Sequence, residues 1–155
     1  FWQIPADFSI LGWNARLVKL GFNHQSNGRS EPLSRSWNRI TAELALDRGG
    51  WVLSAKTWER INEDPEVDDN PRIEEYMGRV QIGLAHTREN HTFSVSLKNS
   101  LASRHRSGVE INYTFPLLSR LKGFVQVYSG YGENMIDMEN YTNRIGFGIA
   151  LTDRL

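Results

Sequence analysis

The chain has 155 residues, 18 Lys+Arg against 18 Asp+Glu, and no cysteine. That length suits one domain, the balanced charge excludes the basic excess of a nucleic-acid binder, and the missing cysteines exclude a disulfide scaffold, a thiolate zinc site and a thiol nucleophile. No run approaches the roughly 18 apolar residues of a membrane-spanning helix, which leaves membrane β-barrels open because their lipid-facing and lumen-facing residues alternate.

The chain opens on Phe1-Trp2-Gln3, with neither an initiator Met nor the basic start and apolar core of a signal peptide. It reads as a processed chain or a piece of a longer one. A period of two then takes over, the signature of a strand with one greasy side. In 18–26 one face carries Val18, Leu20 and Phe22, then His24 and Ser26; the other carries Lys19, Gly21, Asn23 and Gln25. In 36–47 Ile40, Ala42, Leu44 and Leu46 oppose Arg39, Thr41 and Glu43. In 51–58 Trp51, Leu53 and Ala55 oppose Ser54 and Lys56. A strand is predicted over 76–85, with Tyr76, Val80, Ile82 and Leu84 on one side, and another over 92–101, with Phe93, Val95 and Leu97. The same alternation continues in 108–117, 121–129 and 144–155. Helical spacing is not sustained anywhere.

The prediction is about eight antiparallel strands of roughly ten residues, the length a tilted membrane strand needs. Short turns alternate with longer polar loops at 28–35, 61–72 and 131–143, as in an outer-membrane barrel. A soluble sandwich or lipocalin-like barrel is the plainer alternative, with the greasy face as its core. The second face decides between them. It carries Lys19, Arg39, Glu43, Lys56, Arg79, Lys98, Glu110 and Arg144, mixed charges that suit a narrow polar lumen. Trp37, Trp51, Trp58, Tyr76, Tyr113 and Tyr128 are candidates for the aromatic girdles of such a barrel.

His24 and Ser26 stand two residues apart on one face, about 7 Å apart at the backbone. They form a candidate base and nucleophile. Both greasy faces must point the same way, so paired positions have an even sum; a hairpin centred on Glu31 then pairs Ser26 with Ser36, His24 with Asn38 and Phe22 with Ile40. Asn38 then lies across from His24, where its amide oxygen would fix the imidazole's orientation and tautomer. A lone His–Ser pair on a strand is usually incidental. Here the three polar groups interrupt a face that would meet lipid, where they cost free energy without a function. Gly28 allows close backbone approach, so its N–H is a candidate oxyanion donor. Ser30, Glu31, Ser34 and Asp69 offer oxygen ligands for Ca²⁺.

The runs Gly21-Phe22-Asn23-His24-Gln25-Ser26-Asn27-Gly28-Arg29-Ser30 and Ser34-Arg35-Ser36-Trp37-Asn38-Arg39 closely resemble outer membrane phospholipase A of Gram-negative bacteria. So do Asp69-Asn70-Pro71, Tyr76-Met77-Gly78 and Gln126-Val127-Tyr128-Ser129-Gly130-Tyr131-Gly132-Glu133. The similarity is placed from about Trp13 to the end.

The resemblance implies a calcium-dependent serine hydrolase of the bacterial outer membrane. It would cleave acyl esters of phospholipids and lysophospholipids, act as a homodimer, and carry its site on the outer wall of a twelve-stranded barrel. By motif, Ser26 resembles the nucleophile, His24 the base, Asn38 the orienting residue and Gly28 the oxyanion-hole position. Arg29 through its carbonyl, Ser34 and Asp69 match calcium-binding positions, with Asp68 as the alternative to Asp69. The dimer's calcium site in that family also borrows a serine from the partner, from a stretch outside this chain. Residues 1–155 are expected to be one barrel domain, the C-terminal two-thirds of the family's barrel. The rival is a non-catalytic barrel or porin with a vestigial site. His86, His91 and His105 lack metal-ligand spacing, and three Asn-x-Thr triplets are set aside as chance.

Overall fold

The chain's alternating β-branched and aromatic positions form strands almost throughout, as their packing preferences dictate. The computed structural model describes residues 1–101, 106–118 and 121–151. In chain order the elements are β1 (Trp2–Pro5), β2 (Ser9–Ile10), β3 (Trp13–Ser26), β4 (Ser36–Arg48), β5 (Trp51–Ile61), α1 (Ile73–Met77), β6 (Val80–Arg88), β7 (His91–Asn99), β8 (Ser107–Leu118), β9 (Leu121–Gly130) and β10 (Thr142–Ala150). Among the described residues they make one ten-stranded sheet in the order β1-β3-β4-β5-β6-β7-β8-β9-β10, with β2 beside β3. Every pairing is antiparallel.

The eight long strands are those expected; the two short ones, β1 and β2, lie in a segment with no clear alternation. One boundary is corrected. Tyr76 is not in a strand: residues 73–77 form one helical turn, and β6 begins only at Val80. Ile73, Tyr76 and Met77 all pack into the core there, so an apolar spacing of three and four had been masked by the period-two run that follows. The final residues of the predicted strand 144–155, and the predicted turn position His105, lie outside the described residues.

The greasy face is the exposed one. Phe22, Ile40 and Phe147 are 61%, 60% and 73% exposed. Thr92, Ser94, Asn112, Thr114 and Gln126 are buried on the other side. A soluble barrel would have the opposite arrangement, because burying apolar surface is what stabilises it. The inner face is tied together by polar contacts, among them Gln81 Nε2 to Ser96 Oγ at 2.8 Å and Asn112 Nδ2 to Glu110 Oε1 at 2.9 Å.

The two ends of the sheet differ. At one end β4–β5 and β6–β7 turn within two residues, and Gly49, Gly50, Glu89 and Asn90 all have positive φ, the geometry of type I′ hairpins. At the other end the long loops fold inward. Trp37, Trp58, Ile73, Tyr76, Met77, Met135 and Met138 form the apolar core cluster there. This corrects the girdle expectation for four of six aromatics. Trp37, Trp58, Tyr76 and Tyr128 are buried, and only Trp51 and Tyr113 are exposed. Strand parity is the reason: Trp37, Trp58 and Tyr128 fall on the inward positions of β4, β5 and β9.

Candidate active site

The site sits where β3 and β4 run into the loop 27–35. The observed register pairs Ser26 with Ser36, His24 with Asn38 and Phe22 with Ile40, the alignment expected for a hairpin centred on Glu31. His24 Nδ1 lies 2.9 Å from Asn38 Oδ1. An amide oxygen only accepts, so in this pair the proton sits on Nδ1, and in the neutral ring Nε2 is the basic nitrogen. His24 and Ser26 are exposed on the apolar wall. Among the described residues no hydrogen bond joins them, and the imidazole is held from the Asn38 side alone. Apo sites often show such loose contacts before substrate binds.

Ser26 Oγ instead accepts the Gly28 backbone N–H at 3.1 Å. Gly28 has φ +67° and a Cβ there would meet nothing within 4 Å. The conformation, not lack of space, therefore calls for glycine.

The loop is stapled by Asn27, which the sequence reading passed over. Its Oδ1 accepts from Arg29 N at 3.2 Å and from Arg35 N at 3.1 Å, and its Nδ2 donates to Leu33 O at 2.7 Å. An Asn directly before a positive-φ Gly is a turn signal that would have found it.

Behind the loop, Ser34 Oγ donates to Asp69 Oδ2 at 2.7 Å. Asp69 Oδ1 accepts from Ser36 N at 3.2 Å and from Asn70 Nδ2 at 2.6 Å. Asp68 points elsewhere. It pairs with Arg60 at 2.7 Å, with side chains 11% and 4% exposed. Burial opposes ionisation of Asp68, but hydrogen bonds from Arg60 and from Asn70 N–H outweigh it and hold the carboxyl below its ordinary range. Of the two acids, Asp69 is therefore the one beside Ser34. Arg29, Ser30 and Glu31 lie in the same loop, exposed, and none bonds to Ser34 or Asp69 among the described residues.

No group of three His, Cys, Asp or Glu side chains suited to a metal occurs among the described residues. The donors here are of another kind: the Ser34 hydroxyl and the Asp69 carboxylate. Asn70 Oδ1 is buried next to them without a hydrogen-bond partner. That all-oxygen set fits a hard cation such as Ca²⁺ and not a soft one.

A second missed residue is Glu63, whose Oε1 accepts from Asn38 Nδ2 at 3.2 Å. Of the histidines away from the site, His86 stacks on Trp51 with ring centroids 4.2 Å apart. His91 Nδ1 lies 2.8 Å from Tyr113 Oη.

Residues 1–151 match the family model described as Phospholipase A1, so the similarity reaches back past Trp13 to the first residue. The chain is 36% identical over 153 residues to Phospholipase A1 of Salmonella typhimurium, covering 99% of this chain and 52% of that protein. It is 35% identical over the same span to Phospholipase A1 of Escherichia coli strain K12. The chain thus spans about half the length of the curated relatives it matches. Outer membrane phospholipase A from Escherichia coli superposes with a TM-score of 0.91 at 35% identity, covering 99% of this chain and 62% of that one. The Salmonella typhi outer membrane phospholipase dimer with bound calcium gives 0.89 at 36% identity, covering 97% and 57%.

Proposed function

Because this chain belongs to the phospholipase A1 family, we propose that it is the catalytic wall of a calcium-dependent outer-membrane serine esterase. Its substrates are phospholipids and lysophospholipids in the outer leaflet. The observation that carries this reading is the His24–Asn38 pair at 2.9 Å, set beside Ser26 on a face otherwise made for lipid. Polar groups there are costly unless they act.

The chemistry follows from the atoms. His24 Nε2, left basic by the proton on Nδ1, takes the Ser26 hydroxyl proton as Oγ attacks the acyl carbonyl carbon. The Gly28 N–H donates to the resulting oxyanion. The ester C–O bond breaks, and His24 returns the proton to the departing lysolipid oxygen. Water then attacks the acyl-serine by the same proton path, releasing a fatty acid. Asn38 holds the imidazole in one tautomer but adds no formal charge to balance the imidazolium. Phe22, Leu20 and Ile40, all exposed on the outer wall, offer the acyl chain an apolar track.

Arg29 by its carbonyl, Ser34 and Asp69 would hold the calcium ion, which when bound supplies positive charge beside the oxyanion position. The active form is a homodimer, as the relative crystallised with calcium is a dimer. Labelling the membrane-embedded protein with a long-chain sulfonyl fluoride, with and without calcium, tests the reading. A single calcium-dependent adduct on Ser26 supports it; an adduct elsewhere, or none, overturns it.

A further inference from the structure

We propose that Glu63 is a positioning residue for the esterase site, and that the working array runs Ser26, His24, Asn38, Glu63. The inference rests on the esterase reading above. It begins with an ambiguity in any triad built on asparagine. A carboxamide has an accepting end and a donating end, and rotation by half a turn exchanges them. With Oδ1 toward His24, the ring keeps its proton on Nδ1 and a base on Nε2. With Nδ2 toward His24, the ring must accept at Nδ1. The proton then sits on Nε2, and the base is lost. Nothing within Asn38 itself selects the first arrangement.

Glu63 selects it. An ionised carboxylate only accepts, and Glu63 Oε1 takes Asn38 Nδ2 at 3.2 Å while Asn38 Oδ1 faces His24 Nδ1 at 2.9 Å. The reversed amide would turn an oxygen onto the carboxylate, a repulsive contact. The topology makes the arrangement natural. Asn38 pairs across the sheet with Ile61, the last residue of β5, and Glu63 follows two residues further on in the loop, close enough to reach the Asn38 amide. His24 and Asn38 are cross-strand partners, and Glu63 meets Asn38 from the start of the loop that follows β5. Glu63 also places a negative charge two hydrogen bonds from the imidazole, which stabilises the imidazolium formed as Ser26 attacks.

The test is made on the protein in detergent micelles with calcium. Glu63→Ala is expected to lower kcat by roughly tenfold to a hundredfold, the rate equivalent of one charge-assisted hydrogen bond, with KM little changed. Glu63→Gln, which can still accept through its amide oxygen, recovers part of that loss. In an Asn38→Ala background, Glu63→Ala costs nothing further. Equal costs in both backgrounds, or a Glu63→Ala enzyme as fast as the parent, overturn the proposal. A readout independent of turnover separates this from failure of the esterase reading. Imidazole ¹⁵N shifts of His24 report Nδ1–H in the parent and a tautomer mixture in Glu63→Ala. Unchanged shifts would refute the positioning role even in an inactive protein.

Discussion

Ser34 and Asp69 lie 35 residues apart in sequence and share a hydrogen bond of 2.7 Å. The bond ties the loop after the proposed nucleophile to the loop after β5. Occupying the site with a cation would displace the hydroxyl proton from the carboxylate and hold both loops through oxygen ligands. Asp69→Ala is therefore expected to raise the calcium concentration for half-maximal hydrolysis at least tenfold. Asp68→Asn should act chiefly on stability. A calcium titration of hydrolysis for the two variants checks the contrast, and equal calcium requirements would remove Asp69 from the site.

Ser26 is expected to be indispensable to turnover and dispensable to the sheet. Ser26→Ala should lower kcat by about 10³-fold or more, the scale of losing a nucleophile. The β-sheet circular dichroism and the heat-modified gel mobility should stay as in the parent. Hydrolysis near the parent rate would assign the nucleophile elsewhere.

The Arg60–Asp68 pair gives a pH dependence with a definite sign. The Asp68 carboxyl is held below its ordinary value of 3.8 in the folded chain. Its contribution is thus complete above the unfolded value and is lost as pH falls through the folded one. Loop 62–72 should loosen only in that acid window, with calcium affinity falling alongside. Amide hydrogen exchange of this loop across pH 2–6 measures it. Arg60→Met removes the ion pair and leaves the half-buried Asp68 with the Asn70 N–H alone; its exchange should be faster than the parent's at neutral pH already. Protection unchanged in Arg60→Met would discount the pair.

The exposed apolar face sets a fourth expectation. Phe147 stands near the middle of β10 and is 73% exposed. Phe147→Arg should destabilise the lipid-embedded sheet by about 2–4 kcal/mol, the cost of a guanidinium near the bilayer midplane. Gln126, buried on the opposite face, should accept Glu at a smaller cost. Urea unfolding from lipid vesicles compares them, and a harmless Phe147→Arg would mean that this wall does not meet hydrocarbon.

Much of this architecture can be read from alternation alone. Along residues 18–26 of β3 and 38–46 of β4 the side-chain period is two, and one face is apolar except at His24, Ser26 and Asn38. Keeping both greasy faces together restricts the pairing to registers two residues apart, and the one centred on Glu31, which the folded sheet adopts, sets His24 against Asn38. The burial of Trp37, Trp58 and Tyr128 was open to the same parity rule, although their aromatic character suggested girdles. Other features depend on distances along the chain that no local pattern encodes. The helical turn at Tyr76 exists because Ile73, Tyr76 and Met77 find Trp37, Trp58 and Met135 to pack against. Asp69 rather than Asp68 faces Ser34 because Arg60, on β5, claims Asp68. Glu63 reaches Asn38 because β5 lies beside β4 and ends at Ile61, opposite Asn38, so that the loop after it starts beside that amide. Short-range alternation is a property of neighbouring residues and is written in their order. Which acid meets which partner is settled by the meeting of loops far apart in sequence, and that requires the folded sheet.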